Sequence, residues 1–167
     1  MDPDLIAAAQ AVAALLTARK ETVAIAESSA GGLISAALLS VPGASSYYLG
    51  GGVIYTGRAL KGLLHVDRAS LEGMRSSSEP YAQFLADTVR STLRADWGLS
   101  ETGAAGPTGN IYGDDAGHTC MAVSGAASQV STLETADTDR RANMVRFAVT
   151  ALRLLETALL ADNGRPR

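Results

Sequence analysis

Two adjacent serines in the stretch AESSAGG, residues 26–32, are the first residues whose chemistry this sequence invites. A short β-branched apolar run, TVAIA (residues 22–26), precedes them and reads as a buried strand, while LISAALLS (residues 33–40) follows with apolar residues at helical spacing. A strand that turns through small residues into a helix points the helix's first backbone N–H groups at whatever sits above the turn. Those donors belong to Ala30, Gly31 and Gly32, and the hydroxyls of Ser28 and Ser29 sit among them. Phosphate binding, an oxyanion hole and a serine nucleophile are the three uses such a turn invites. A plainer use stands beside them: either serine caps the helix, and the glycines let it pack closely.

A serine nucleophile needs a base, and a lysine or tyrosine can serve. The segment YTGRALK supplies Tyr55 and Lys61 a short way downstream, although Lys61 taken alone reads as a solvated charge. Glu101 interrupts an otherwise apolar strand between Leu99 and Thr102. Buried carboxylates are rare unless paired or functional, so Glu101 is a candidate as well. His65 and His118 lie far apart with no metal-ligand partner at a familiar spacing, and each reads as an ordinary polar residue. The single cysteine, Cys120, excludes an internal disulfide framework and a cysteine-based metal site, and reads as a buried, inert thiol. No GxxxxGK[ST] occurs, and Gly50 to Gly52 miss the spacing of a dinucleotide fingerprint. Neither metal nor cofactor is expected.

The elements that must position these groups follow from the rest of the chain. Its 167 residues are enough for one domain with a real core, expected over 1–161 with a frayed tail at 162–167. A net charge of −3 gives no footprint for nucleic acid or an anionic membrane. No basic start precedes an apolar leader and no apolar run approaches about 20 residues, so the expectation is a cytoplasmic protein. Asp2-Pro3 opens a helix that Lys20 closes. The segment at 47–56 ends in a strand-like VIY, and its three glycines suggest close approach by another backbone or a ligand. Short helices are expected at 58–64 and 67–74, and a longer one from Glu79-Pro80. A strand over 99–105 leads into GPTGN, a loop dense in turn formers. A hairpin at 118–133 and a final helix over 140–160 complete the chain. Helices alternating with strands, then a late hairpin, predict an α/β fold with a mixed sheet covered on both faces.

Four segments, AESSAGG, PGASSYYLGGGVIYT, TGAAGPTG and TDRRANMVRFA, together resemble the C-terminal domain of the CinA family. That family's patterns run approximately AESCTGG, PGSSxxFxGGxVxYSNxAK, SGIAGPxGG and GDRxxIR. The likeness spans about residues 5–160 in the same order. It implies a three-layer α/β/α sandwich with a mixed five- or six-stranded sheet. It also implies hydrolysis of the carboxamide of nicotinamide mononucleotide to the nicotinate form and ammonia, since stand-alone members are nicotinamide-nucleotide amidases.

Carried over residue by residue, the likeness makes Ser28 the nucleophile, with Tyr55 and Lys61 as the catalytic partners. It places Glu27, Ser29, Ala30, Gly31 and Gly32 at the substrate, together with Ser45. Thr102, Gly103, Gly106, Pro107 and Gly109 match the second loop, Glu101 joins the substrate-binding set as the buried carboxylate singled out above, and Arg140 would meet the nucleotide phosphate. The expected partner is therefore a small phosphorylated nucleotide, and the family's assemblies imply self-association into a homo-oligomer.

Three departures mark this chain. Ser29-Ala30 stands where the family has Cys-Thr. Counting from Tyr55 puts Leu60, not Lys61, at the family's lysine position, about 100 degrees away around a helix. DDAGHT (residues 114–119) replaces the usual KPVG. The alternatives kept open are a nucleotide-binding module without hydrolysis and an amidase for another small phosphorylated substrate.

Overall fold

The computed structural model of the protein describes residues 1–162, apart from the side chain of Arg68. The chain begins with α1 (Pro3–Arg19), capped by Asp2, whose carboxylate accepts from the Asp4 and Leu5 amides at 2.9 and 3.2 Å. Lys20 closes the helix in the left-handed conformation. Next come β1 (Val23–Glu27), α2 (Leu33–Ser40), β2 (Tyr48–Val53) and α3 (Gly57–Leu64). Then follow α4 (Glu79–Leu93), β3 (Trp97–Ala104), β4 (His118–Ser124), β5 (Gln129–Glu134) and α5 (Arg140–Ala161). The helix expected at 67–74 is only a 3-10 turn, Arg68–Leu71.

The five strands form one mixed sheet in the order β2-β1-β3-β4-β5. β1 runs parallel to both β2 and β3, and β4 and β5 add antiparallel strands. Helices α1, α2 and α5 cover one face and α3 and α4 the other, giving the three-layer α/β/α sandwich. The strand alternation sorts side chains by size. Val23, Ile25, Trp97, Leu99, Met121 and Val123 fill the α1/α5 side. Ala24, Ala26 and Ala122 face α4, which therefore sits close enough for Ser100 Oγ to donate to the Ala82 carbonyl at 2.6 Å.

The three glycines at 50–52 lie within β2, and the middle one, Gly51, answers to a neighbouring backbone. A Cβ on Gly51 would stand 2.7 Å from the Ile25 carbonyl oxygen and 2.9 Å from the Ile25 Cβ, so only glycine lets β2 pair with β1 here. At the far end of the chain Asp162 is held: its carbonyl accepts from Arg19 at 2.8 Å, and its carboxylate pairs with the same guanidinium. The rest of the expected frayed tail, 163–167, lies outside the described residues. Among the described residues no helix is long and apolar enough to cross a membrane.

Candidate active site

The parallel strands β1 and β3 end side by side, and the chain leaves β1 through the turn at Ser28–Gly32. Two buried carboxylates hold that turn. Glu27 accepts from the amides of Gly32, Ile34 and Ser35 at 2.9, 3.1 and 3.0 Å and from Ser35 Oγ at 2.5 Å, so it caps α2. Glu101, with no exposed surface, accepts from the amides of Ser28 and Ala30 at 3.1 and 2.8 Å. The hydroxyls of Ser29 and Thr119 donate to its other oxygen, the latter at 2.9 Å. Burial pushes the Glu101 carboxyl up, and these four hydrogen bonds only partly offset it.

This geometry corrects the expectation for the helix N-terminus. The amides of Ala30 and Gly32 are taken by Glu101 and Glu27, and that of Gly31 by the Ser28 carbonyl at 3.0 Å, so none faces a substrate. Gly31 and Gly32 instead supply the left-handed backbone, φ +67° and +96°, that turns the chain into α2. Ser29 is buried with its hydroxyl on Glu101. Among the described residues the Ser29 amide has no acceptor, and the half-buried Ser28 donates through its amide only.

Ser28 opens onto a cleft of about 680 Å³ on the α3/α4 side of the sheet. Thr102, Gly103 and Gly109 bring the second loop into its lining, and Tyr55, Leu60 and Ile54 line it from the segment after β2. Ser76, Ser77, Tyr81, Asn110 and Tyr112 complete the lining. Tyr55 is 58% exposed, and its hydroxyl accepts from Arg140 at 3.1 Å. Arg140 also donates to the Gly106 carbonyl at 2.6 Å, which sets it on the rim beside Tyr55. Asn143 steadies that arrangement from α5 by donating to the Ala105 and Asp137 carbonyls at 2.9 and 2.7 Å.

Ser28, Tyr55, Thr102, Gly103 and Gly109 are the expected residues that line the cleft, and Lys61 and Ser45 lie well away from it. Lys61 lies on the outer side of α3, three-quarters exposed, with its ammonium 3.4 Å from Asp67, while Leu60 is buried and takes the inward position. The helical offset of one residue has this consequence. Ser45 sits in the 3-10 turn Ala44–Ser46 that leads into β2. Because β2 runs parallel to β1, that turn lies at the end of the sheet opposite Ser28.

The family model for the CinA C-terminal domain matches residues 6–159. The chain belongs to the CinA C-terminal domain family. A CinA-like protein of Desulforapulum autotrophicum is 36% identical over 156 residues, covering 93% of this chain and 37% of that protein. One from Acaryochloris marina is 38% identical, over 92% of this chain and 37% of its own length. The chain thus spans little more than a third of these relatives. Among solved structures, a competence-damaged protein (CinA) superfamily member from Klebsiella pneumoniae superposes with a TM-score of 0.86 at 25% identity, covering 94% of this chain and 98% of that one. A competence/damage inducible protein from Agrobacterium tumefaciens gives 0.86 at 27% identity, over 96% and 98%.

Within this CinA-type domain, the part of the lining that Ser76 and Ser77 supply was not visible in the sequence as a site. Ser76 to Ser78 read as a polar connection, yet Ser77 is buried in a left-handed conformation, φ 56°, and its amide reaches Thr102 Oγ1 at 3.3 Å. Asn110 folds the loop tip by accepting from the Tyr112 and Asp114 amides at 3.0 and 3.1 Å, the one signal that GPTGN carried. Asp114 takes a two-pronged pair from Arg75, at 2.5 and 3.0 Å, and this hydrogen bonding holds its carboxyl below the usual range against the effect of burial. Among the described residues no group of three or more His, Cys, Asp or Glu is placed to hold a metal.

Proposed function

We propose that this CinA-type domain is a cytoplasmic amidase that hydrolyses the carboxamide of nicotinamide mononucleotide, with Ser28 as nucleophile. The observation that carries the reading is the hydroxyl of Ser28 at the mouth of β1, facing a cleft lined by neutral hydroxyls and three tyrosines. Ser28 Oγ attacks the amide carbon, and its proton passes to a base and on to the leaving nitrogen, which departs as ammonia. Water then cleaves the acyl-serine ester to the carboxylate. Tyr55 takes the part of the base, because it shares the cleft with Ser28 while Lys61 does not. The Ser29 amide, with no acceptor among the described residues, serves the oxyanion. Tyr55, Tyr81 and Tyr112 offer aromatic faces to a pyridinium ring. Arg140 has donors left beyond the two it spends on Gly106 and Tyr55, and these meet the phosphate. Self-association belongs to the same proposal: β2 is an edge strand with Leu49 and Val53 exposed.

Lys61 favours a second reading, a module that binds the nucleotide without cleaving it, since the lysine faces solvent and pairs with Asp67. Ammonia release and calorimetric binding, measured together with nicotinamide mononucleotide, separate the two. Release with binding supports the amidase, and binding without release supports the module. Release from other phosphorylated carboxamides alone would move the substrate and leave the chemistry.

A further inference from the structure

His118 begins β4 on the side of the sheet that faces α4, and its ring is buried. Its Nδ1 is 2.5 Å from Glu134 Oε1, on the directly paired residue of β5. Its Nε2 is 2.9 Å from the Ser77 carbonyl oxygen. A carbonyl and an ionised carboxylate only accept, so both contacts are hydrogen bonds only when both ring nitrogens carry a proton. From these two contacts we infer that His118, as an imidazolium, is the positioning residue that holds the Ser76–Ser77 wall of the Ser28 cleft in place.

The chain of contacts runs from the imidazolium to the Ser77 carbonyl, and from the Ser77 amide to Thr102 Oγ1 beside Ser28. Asp114, whose carboxylate lies 3.7 Å from Nε2, ties the same cation to the loop tip through Asn110 at 2.8 Å and to Arg75 on the Ser76 segment. Every element packed around the ring contributes a group. Glu134 comes from β5, Asp114 from the second loop, Cys120 from β4 at 3.6 Å, and Arg75 from the segment before α4. Glu79 of α4 stands one step further out, accepting from Thr132 Oγ1 at 2.8 Å. The carboxylates outnumber the cation, which favours the charged ring. Burial works against protonation, but Glu134, the Ser77 carbonyl and Asp114 together outweigh it and leave the pKa raised. The linkage sign follows: the clamp is complete below the ordinary histidine value of 6.5 and is lost as pH rises through the raised value. His118 and Asp114 both lie in the segment DDAGHT.

The role of this wall in binding rests on the nucleotide reading of the cleft; the clamp itself does not. Nitrogen-15 NMR of the histidine ring and of the backbone amides between pH 5 and 9 tests it on the intact protein. The expected result is a doubly protonated His118 ring at pH 6, with the Ser77 and Thr102 amides shifting at the same midpoint as the ring. Glu134→Gln, on the exposed side of the edge strand, should lower all three midpoints together by about one pH unit. Nicotinamide mononucleotide should bind several-fold more weakly above the midpoint, and the loss should begin about one unit lower in Glu134→Gln. A neutral single tautomer at pH 6, or a ring that titrates while Ser77 and Thr102 stay fixed, overturns the clamp. If both amides follow the ring and the nucleotide binds at no pH, the clamp stands and the nucleotide reading falls. His118→Gln adds a direct loss of the cation, and Glu134→Gln decides the question even if that variant does not fold.

Discussion

The turn at Ser28–Gly32 and the wall at Arg75–Ser78 both contribute to the lining of one cleft, through Ser28 and through Ser76 and Ser77, yet they are held by different means. Under the turn, two fully buried carboxylates take the amides of Ser28, Ala30 and Gly32, and their partners lie as far as 73 residues away in sequence. At the wall, Arg75, Asp114 and the His118–Glu134 pair lean on side chains that reach solvent, with Arg75 45% and Glu134 58% exposed. The difference teaches where rigidity and adjustability sit. A turn whose donors are internally satisfied, the Ser29 amide apart, keeps one geometry at the cost of having few left for a ligand. A wall built from partly solvated charges can respond to pH and to ligand charge.

Removing a carboxylate from each side tests that contrast most strongly. Glu101→Ala strands two amides and two hydroxyls in the interior and should cost about 3 kcal/mol in denaturant unfolding. Asp114→Ala, whose guanidinium partner can turn to water, should cost about 1 kcal/mol. Equal costs would erase the distinction between the two walls. Arg140, held between Tyr55 and the Gly106 carbonyl, comes next. Arg140→Ala should weaken nicotinamide mononucleotide binding by about 1.5–3 kcal/mol, the range for a charged hydrogen bond, and leave nicotinamide riboside unaffected. A matching loss with the riboside would place Arg140 in the fold rather than at the phosphate. The smallest effect belongs to Lys61. Lys61→Gln should change stability by less than about 0.5 kcal/mol and leave turnover unaltered, because the ammonium pairs with Asp67 in solvent. A collapse of turnover in that variant would return the lysine to the reaction.

Much of the fold was legible because its signals are local. The Asp2-Pro3 start, the period of α4 and α5, and the late hairpin each depend on neighbours within a few residues. The place of Ser28 was legible for the same reason: a strand, a small-residue turn and a helix follow one another directly. What the turn does with its donors was not. The Ala30 amide is claimed by Glu101 from a strand 71 residues on, and no local pattern announces such a partner. Ser45 failed differently, since its position depends on β2 running parallel to β1, a matter of topology rather than motif. The buried Glu101 stood out as an oddity in an apolar strand, and its environment gives the reason: it fastens the turn that carries Ser28.

The central claim is that Ser28 carries out chemistry at this cleft. It is tested most directly by the rate of ammonia release from nicotinamide mononucleotide per folded molecule, for the wild type beside Ser28→Ala and Ser29→Ala. Ser28→Ala should release no measurable ammonia while its free energy of unfolding stays within about 1 kcal/mol of the wild type. Ser29→Ala, which removes a hydroxyl from Glu101, should lose more stability than rate. Release by Ser28→Ala at the wild-type rate, or no release by the wild type while the nucleotide binds, would contradict the claim.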